Sequence, residues 1–169
     1  MKSKSIIALL VAVLLAACTS LDCPVNNMVC TVYSLQTPDG LPDTLGVDTM
    51  WVYAERGDGT DTLLINSLCG AKATKFSIPL SHTQSEDNLT IIVRDTCMST
   101  GQHEWSDVIL LKKENQPHFE GVDCKATYFH TLTSVRSTHD IIDTVIINKP
   151  EVTYDASTAH FLLRLKARR

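Results

Sequence analysis

The sequence has no apolar run long enough to cross a membrane as a helix. Its N-terminal apolar stretch, residues 6–17, would form a helix of roughly 18 Å, whereas the hydrocarbon core of a bilayer is about 30 Å thick. Lys2 and Lys4 precede this stretch and small residues end it, which is the pattern of a secretory signal peptide. We therefore predict that residues 1–17 are removed on export.

The chain also lacks a strongly basic surface. Without the leader and its two lysines, 13 Lys+Arg stand against 19 Asp+Glu, a formal net charge of −6. The basic cluster at residues 164–169 lies at the terminus, where a solvated tail is expected. Because nucleic-acid binding depends on clustered Lys and Arg that displace counterions, we expect no nucleic-acid partner.

The motifs of catalytic and metal sites are missing as well. The sequence contains no His-Glu-x-x-His, His-x-His, Cys-x-x-Cys or Gly-x-Ser-x-Gly. We therefore expect no metal, no cofactor and no enzymatic activity. A structure in which His130 or His139 bonds to a carboxylate inside a deep pocket would revive the enzymatic alternative.

Two of the six histidines precede a phenylalanine, His118 before Phe119 and His160 before Phe161. With both phenylalanines turned inward, the period of two in a strand would turn both histidines outward. We expect surface or structural histidines rather than ligands.

The leader ends in Leu15-Ala16-Ala17-Cys18, which resembles the bacterial lipoprotein signal Leu-(Ala/Ser)-(Gly/Ala)-Cys. The resemblance implies a diacylglycerol on the Cys18 sulfur, cleavage before Cys18 and acylation of the new amino group. At about 0.8 kcal/mol per buried CH₂, two or three acyl chains hold a protein stably on a bilayer. Thr19 and Ser20 follow without the aspartate that retains enteric lipoproteins in the inner membrane. We expect an outer-membrane anchor with the protein facing the periplasm.

Five further cysteines remain, namely Cys23, Cys30, Cys69, Cys97 and Cys124. An odd number in an oxidising compartment allows at most two disulfides and leaves one thiol over. The sequence leaves the pairing open. A bridge from Cys23 to a distant partner such as Cys124 would close a long loop, worth up to about 4 kcal/mol. Buried free thiols are the alternative for Cys69 and Cys97.

After a tether at residues 18–29, the chain predicts one β domain at 30–169. Short segments rich in β-branched and aromatic residues alternate with turn residues, and no sustained helical period occurs after the leader. The predicted strands lie at residues 30–35, 47–55, 62–66, 75–80, 89–95, 105–113, 127–137, 141–149 and 160–166. This pattern favours an all-β, antiparallel β-sandwich of immunoglobulin-like type, with a closed barrel as the alternative.

Several local features refine this prediction. Asp58-Gly59 predicts a hairpin between the second and third strands, and Pro79 predicts an edge strand. Residues 89–95 and 105–113 are expected at the centre of a sheet. Residues 127–137 and 141–149 are expected to form a second long hairpin. In the last strand Phe161, Leu163 and Leu165 should point inward.

Four Asp-Thr pairs precede an aliphatic residue or methionine, which resembles the O-glycosylation motif of exported Bacteroidota proteins. They make Thr44, Thr49, Thr62 and Thr144 candidate glycosylation sites. The alternative is that Asp-Thr simply opens a strand.

Trp51 and Trp105 are candidate ligand contacts, because tryptophans stack on sugar rings. The alternation around Trp51 favours packing against the core instead. The tripeptide Arg-Gly-Asp at residues 56–58 matches a cell-adhesion motif, but the turn role of Asp58-Gly59 already accounts for it.

Longer stretches resemble an uncharacterised family of small lipoproteins from Bacteroidota gut bacteria. They include DCPVNN at residues 22–27, PHFEGVDC at 117–124 and YFHTLTSVRSTHDIIDTVIIN at 128–148. The resemblance implies a lipid-anchored all-β domain and carries no catalytic residues.

Together these observations predict a non-enzymatic interaction or accessory module in the cell envelope. Its partners would be the membrane, through the lipid anchor, and another envelope protein, contacted by loops or an unpaired strand edge. One alternative is a glycan-binding lipoprotein that works with an outer-membrane importer. Another is a pilin-like subunit whose edge strand is completed by a neighbour.

Overall fold

The computed structural model is an all-β protein in which ten strands form two sheets. It describes residues 23, 28–46, 48–56, 58–69, 73–95, 103–122 and 124–166. The strands are β1 (Cys30–Leu35), β2 (Thr49–Glu55), β3 (Asp61–Cys69), β4 (Lys75–Pro79), β5 (Glu86–Arg94), β6 (Glu104–His118), β7 (Thr127–Ser137), β8 (Ile142–Ile147), β9 (Glu151–Val152) and β10 (Phe161–Leu165).

The two sheets pack against each other as a sandwich. One has four strands in the order β4-β1-β10-β8, and the other has six in the order β3-β2-β5-β6-β7-β9. Strand β5 shows how the sequence produces this arrangement, because Leu89, Ile91 and Val93 are buried while the residues between them are not. A period of two gives the strand one core face. The predicted β-sandwich is confirmed.

An aromatic stack forms the core side of the four-stranded sheet. Tyr33 of β1 lies between Phe76 of β4 and Phe161 of β10, with ring centroids 4.9 and 4.7 Å apart. All three rings are buried. Such pairs contribute about 0.5–1.5 kcal/mol each beyond the area they bury. The stack therefore supports the order β4-β1-β10.

The predicted hairpin between β2 and β3 is confirmed. The strands pair antiparallel up to Glu55 and Asp61, and the Arg56 N–H donates to the carbonyl of Thr60 at 2.7 Å. Gly59 in this turn has a φ of 78°, a left-handed conformation that glycine adopts without steric cost.

The predicted positions of three further strands also agree with the structure. β4, which ends at Pro79, is an edge strand of the four-stranded sheet. β5 and β6 lie at the centre of the six-stranded sheet, each paired on both sides.

The prediction of a hairpin between β7 and β8 is wrong. β7 lies in the six-stranded sheet, whereas β8 pairs with β10 in the other. Asp107 of β6 holds the connection, accepting the backbone N–H of Thr138 at 2.9 Å, of Ile141 at 3.0 Å and of Ile142 at 2.8 Å. These bonds bend the chain from one sheet to the other, so residues 138–141 form a corner.

The last strand buries Phe161 and Leu163 as predicted, but it runs parallel to β1, with Tyr33 opposite Phe161. The sandwich is therefore not antiparallel throughout. The six-stranded sheet also contains β5, β6 and β7 as consecutive neighbours. In the immunoglobulin fold one sheet contains strands A, B, E and D and the other contains C, F and G. Neither sheet has three neighbouring strands that are also consecutive in the chain.

One hairpin extends beyond β5 in the six-stranded sheet, with the short strand β9 paired near its base. Lys112 of β6 lies opposite Glu86, the first residue of β5, and β6 continues to His118 paired only with β7. Those six further residues correspond to about 20 Å of strand. We call residues 113–132, which comprise this part of β6, the turn and the start of β7, the hairpin arm.

Candidate functional site

A cleft opens at the end of the sandwich from which the hairpin arm projects. Its volume is 490 Å³, and its walls come from the ends of β2 and β4, from β3, from the start of β5 and from the loop at residues 80–84. Apolar side chains such as Leu64, Leu80 and Leu89 face it, together with the charged residues Glu55 and Arg56. We call this the edge cleft, because β3 is an edge strand of the larger sheet.

Strand β3 offers an unpaired edge beside the cleft. Within the described residues its hydrogen-bonded neighbour in the sheet is β2 alone. Thr62 and Leu64 line the cleft, whereas Leu63, between them, is 44% exposed. The pairing with β2 becomes irregular further along, and Ser67 has a φ of 53°. The pairing is regular from Asp61 to Leu63, and its register shifts between Leu63 and Ile65. The free edge at residues 61–65 therefore contains one irregularity, at Leu64.

A buried ion pair anchors the loop that walls the edge cleft. The Lys113 ammonium lies 2.7 Å from the Asp87 carboxylate, and both side chains are almost fully buried. The same ammonium donates to the carbonyl of Gln84 at 2.7 Å, and the Lys113 N–H donates to the carbonyl of Ser85 at 2.9 Å. Burial raises the pKa of Asp87, and the hydrogen bond from Lys113 opposes that rise. In a buried pair of this kind the attraction between the two charges offsets part of the cost of their desolvation.

Asn115 and His130 complete this polar cluster on the hairpin arm. The Asn115 amide donates to the carbonyls of His82 at 3.1 Å and Gln84 at 2.8 Å. Its oxygen must then accept from His130 Nδ1, 2.7 Å away, so that nitrogen carries the proton. Burial, with Lys113 and His82 nearby, lowers the pKa of His130 to about 4. The buried imidazole is therefore neutral at pH 7.

The polar cluster positions a loop and shows no acid–base pair. Its histidine bonds to an amide, and its carboxylate is neutralised by a lysine. General acid–base catalysis needs a group with a suitable pKa facing a substrate. His139 Nδ1 contacts only the Ser137 hydroxyl and the Ile142 carbonyl, each at 3.3 Å. Neither His130 nor His139 therefore forms the hydrogen bond to a carboxylate that would have supported the enzymatic alternative.

A second, smaller cleft adjoins the first on the other side of the same loop. It has a volume of 280 Å³ and is lined by Met28, Val29 and the start of β7. His82 stacks on Tyr128 here, with ring centroids 4.9 Å apart. Pro79, Leu80 and His82 line both clefts. One loop therefore shapes both.

The prediction that His118 and His160 point outward, opposite Phe119 and Phe161, is wrong in two respects. His160 is fully buried, and its Nδ1 accepts the backbone N–H of Val32 at 2.9 Å. Phe119 is 63% exposed instead of buried. His160 precedes β10 and Phe119 follows β6, so the period of two does not extend to them.

His118 itself is half-buried and belongs to an aromatic group on the hairpin arm. Its ring stacks on Phe129 with centroids 4.2 Å apart, and Tyr154 meets Phe129 edge-on at 5.0 Å. The surroundings are aromatic, so this histidine is structural.

The structure joins Cys23 to Cys124 in a disulfide, across a sequence separation of 101 residues. Cys30 is half-buried and free, and burial raises the pKa of its thiol. Cys69 is free and exposed on the β3 edge strand, so a buried thiol is not found there. Cys18 and Cys97 lie outside the described residues.

The four candidate glycosylation sites differ in accessibility. The Thr49 side chain is buried, with 6% of the residue exposed, so a glycan there would have to be added before folding. Thr44, Thr62 and Thr144 are half-buried. Glycosylation of these three stays a prediction.

The two tryptophans lie on opposite faces of the six-stranded sheet. Trp51 pairs with Ile92 on the outer face, where the Arg94 guanidinium covers its ring at 5.2 Å. Trp105 lies opposite Val93 on the inner face and packs against the core. They cannot form one platform for a sugar.

The Arg-Gly-Asp tripeptide occupies the tip of the β2–β3 hairpin. Asp58 Oδ1 accepts hydrogen bonds from the backbone N–H of Thr60 at 2.9 Å and from its hydroxyl at 2.6 Å. The carboxylate is thus occupied in shaping the turn, as the sequence favoured. Gly57 lies outside the described residues.

Metal-binding groups of three or more His, Cys, Asp or Glu side chains do not occur among the described residues. In the same part of the chain no helix has the length and apolarity needed to span a membrane.

The fold and the cleft define a class: a β-sandwich with an open edge strand and an adjoining cleft at one end. The chain belongs to a family of unknown function, DUF6452, whose profile matches residues 49–164. No curated protein and no solved structure matches the chain.

The polar cluster has a signal in the sequence that lies outside the catalytic and metal-binding motifs. Asp87 shares the inward phase of Leu89 and Ile91 on β5, and Lys113 shares that of Ile109 and Leu111 on β6. An acidic and a basic residue at core positions of neighbouring strands indicate a buried ion pair.

Proposed function

We propose that this protein is a lipid-anchored, non-enzymatic interaction module of a Bacteroidota cell envelope. Acyl chains on Cys18 hold it on the outer membrane, facing the periplasm. The free edge of β3 binds an extended segment of another envelope protein by strand addition.

The disulfide supports the exported location. Structural disulfides persist in oxidising compartments and are rare in the cytosol. The bridge between Cys23 and Cys124 is of this kind, since it ties the start of the domain to the hairpin arm. It agrees with the leader at residues 1–17 and with Cys18 as the first residue of the mature chain.

The observation that carries the binding function is the free edge at residues 61–65, regular from Asp61 to Leu63, beside the edge cleft. A strand added there would gain main-chain hydrogen bonds along the edge. Every second side chain would point to the same side as Thr62 and Leu64, which line the cleft. Leu64, Leu80 and Leu89 would favour an apolar side chain, and Glu55 and Arg56 would favour polar groups beside it.

The alternatives have less support. A glycan-binding role would draw on Trp51 and Trp105, which lie on opposite faces of the sheet. A pilin-like role would use the same β3 edge, with a second copy of the chain as the added strand.

The test is photocrosslinking in living cells. A photoreactive benzoylphenylalanine replaces Asp61, the exposed first residue of β3, in the tagged full-length chain. Leu63→Lys blocks strand addition, because a charged side chain on an edge disfavours pairing. Ile146→Lys is the matched control, since Ile146 is 49% exposed on β8, an edge strand of the other sheet.

We expect one partner protein to be crosslinked, to be lost with Leu63→Lys and to be retained with Ile146→Lys. The Cys18→Ala form should lose the partner because it is no longer held at the membrane. A crosslink insensitive to Leu63→Lys would rule out the β3 edge. A crosslink to a second copy would favour the assembly subunit instead.

A further inference from the structure

We infer that the tip of the hairpin arm is a membrane-contacting element, whose exposed apolar side chains enter the boundary between phospholipid headgroups and acyl chains. The inference rests on the proposed function, because it requires the acyl anchor at Cys18. It adds a second contact with the bilayer and an orientation of the domain.

The disulfide brings the anchor point to the arm. Cys23 is bonded to Cys124, which lies in the turn of the arm. Five residues lead from Cys18 to Cys23, and a fully extended chain of that length spans at most about 18 Å. An acylated Cys18 therefore holds the tip of the arm close to the bilayer surface, whatever path the five residues take.

The tip exposes apolar side chains that the fold leaves without cover. Val122 is 104% exposed and Phe119 63%, both in the turn of the arm. Met28, which shares the smaller cleft with the start of β7, is 73% exposed. Val122 and Met28 have the two highest values among the exposed large hydrophobic residues described. Exposed apolar groups gathered at one place indicate a contact surface.

The turn of the arm contains three charged residues, Glu120, Asp123 and Lys125. Lys125 is exposed, and an ammonium there can reach lipid phosphates. The Glu120 carboxylate is partnered by the His118 ring at 3.2 Å. An aromatic or aliphatic side chain next to a lysine is typical of segments that lie in the interface.

The arm extends beyond the strands that line the edge cleft. The tip lies about 20 Å of strand beyond the start of β5, and Asp87 and Leu89 of β5 line the edge cleft. The loop that walls the cleft also reaches the arm, because His82 lines the cleft and stacks on Tyr128. The arm therefore borders the cleft, and a partner strand on β3 would lie beside it.

The experiment uses the full chain, processed and lipidated in cells, purified and reconstituted into phosphatidylethanolamine–phosphatidylglycerol vesicles. The vesicles contain a phospholipid with a diazirine in its acyl chain, and labelled residues are mapped by mass spectrometry after illumination. Flotation of the vesicles and the mass of the N-terminal peptide report separately on the anchor.

We expect label at residues 118–125 and none at Leu63 or Ile146, which are also exposed apolar residues. The double variant Phe119→Ser with Val122→Ser should lose the label while it still floats with the vesicles and keeps the Cys23–Cys124 disulfide. The matched variant Leu63→Ser should retain the label.

The outcomes separate the two proposals. A protein that is acylated and floats, but is labelled nowhere on the arm, would overturn the membrane-contacting tip and leave the anchor in place. Equal labelling of the arm, Leu63 and Ile146 would also overturn the membrane-contacting tip. A chain without acyl groups on Cys18 that does not float would overturn both.

Discussion

Replacing Asp107 tests whether one buried carboxylate holds the corner between the two sheets. Its oxygens accept the backbone N–H groups of Thr138, Ile141 and Ile142, and the Thr138 hydroxyl. In Asp107→Ala all four donors lose their acceptor. Thr138 is exposed, so water can replace the carboxylate there, but Ile141 and Ile142 are buried and their amides would stay unsatisfied.

The magnitude follows from those two amides. An unsatisfied buried donor costs about 1–3 kcal/mol, so Asp107→Ala should lower the free energy of unfolding by about 4 kcal/mol. Asp107→Asn keeps one acceptor oxygen and should lose about 2 kcal/mol. Since a whole domain is stable by about 5–15 kcal/mol, both losses are easily measured.

The assay is urea unfolding of the mature chain, followed by tryptophan fluorescence. Asp140→Asn, an exposed carboxylate in the same corner, is the control and should change stability by less than about 0.5 kcal/mol. A loss below about 1 kcal/mol for Asp107→Ala would refute the reasoning, because it would mean that the amides find other partners.

The dependence on pH provides an independent check. Burial disfavours the ionised form of Asp107, but the hydrogen bonds from Thr138, Ile142 and Ile141 outweigh it and lower the pKa of its carboxyl group. Its stabilisation is therefore present above the unfolded-state pKa of about 3.9 and is lost as the pH falls through the lower native value. The difference between wild type and Asp107→Asn should shrink over that range.

Three further predictions concern the hairpin arm and its anchoring. Lys113→Met leaves Asp87 buried without its cation and should lower the free energy of unfolding in urea by about 3–5 kcal/mol. Adding Asp87→Leu should recover most of this loss. A double variant as unstable as Lys113→Met would contradict the ion pair. The pKa of His130, lowered to about 4 chiefly by burial, predicts a neutral ring at pH 5 by NMR. Stability should fall as pH drops from about 6.5 towards that value, and His130→Gln should flatten this dependence. Replacing Cys23 and Cys124 by serine removes a bridge across a sequence separation of 101 residues. We expect the free energy of unfolding to fall by about 4 kcal/mol, whereas no loss would mean that the bridge constrains the unfolded chain little.

Local patterns in the sequence predicted nine of the ten strands, but not the short strand β9 or the extension of β6 from residue 114 to His118. Asp58-Gly59 marked the β2–β3 hairpin, Pro79 marked an edge, and alternation along β5 and β10 gave the buried face. Each of these signals acts within a few residues, so tertiary context did not override it. That is why the β-sandwich could be predicted from the residues alone.

The corner and the polar cluster could not be predicted in the same way, because their partners are distant in sequence. The corner at residues 138–141 depends on Asp107, some thirty residues earlier, and without that contact the segment has the composition of a hairpin turn. Asp87 and Lys113 could be placed inward from their phase, but which loop they anchor depends on sheet packing. The edge cleft follows from that loop.

The buried polar cluster links the two proposed contacts mechanically. An apolar replacement for the Lys113–Asp87 pair would cost less desolvation, so stability alone does not account for it. What an apolar pair lacks is the hydrogen bonding by which Lys113 and Asn115 hold Gln84 and the loop at residues 80–85 against the base of the arm. These hydrogen bonds fix the wall of the cleft to the base of the arm. A partner strand on β3 would accordingly sit at a fixed height above the bilayer, and loosening the cluster should weaken partner capture before it affects anchoring.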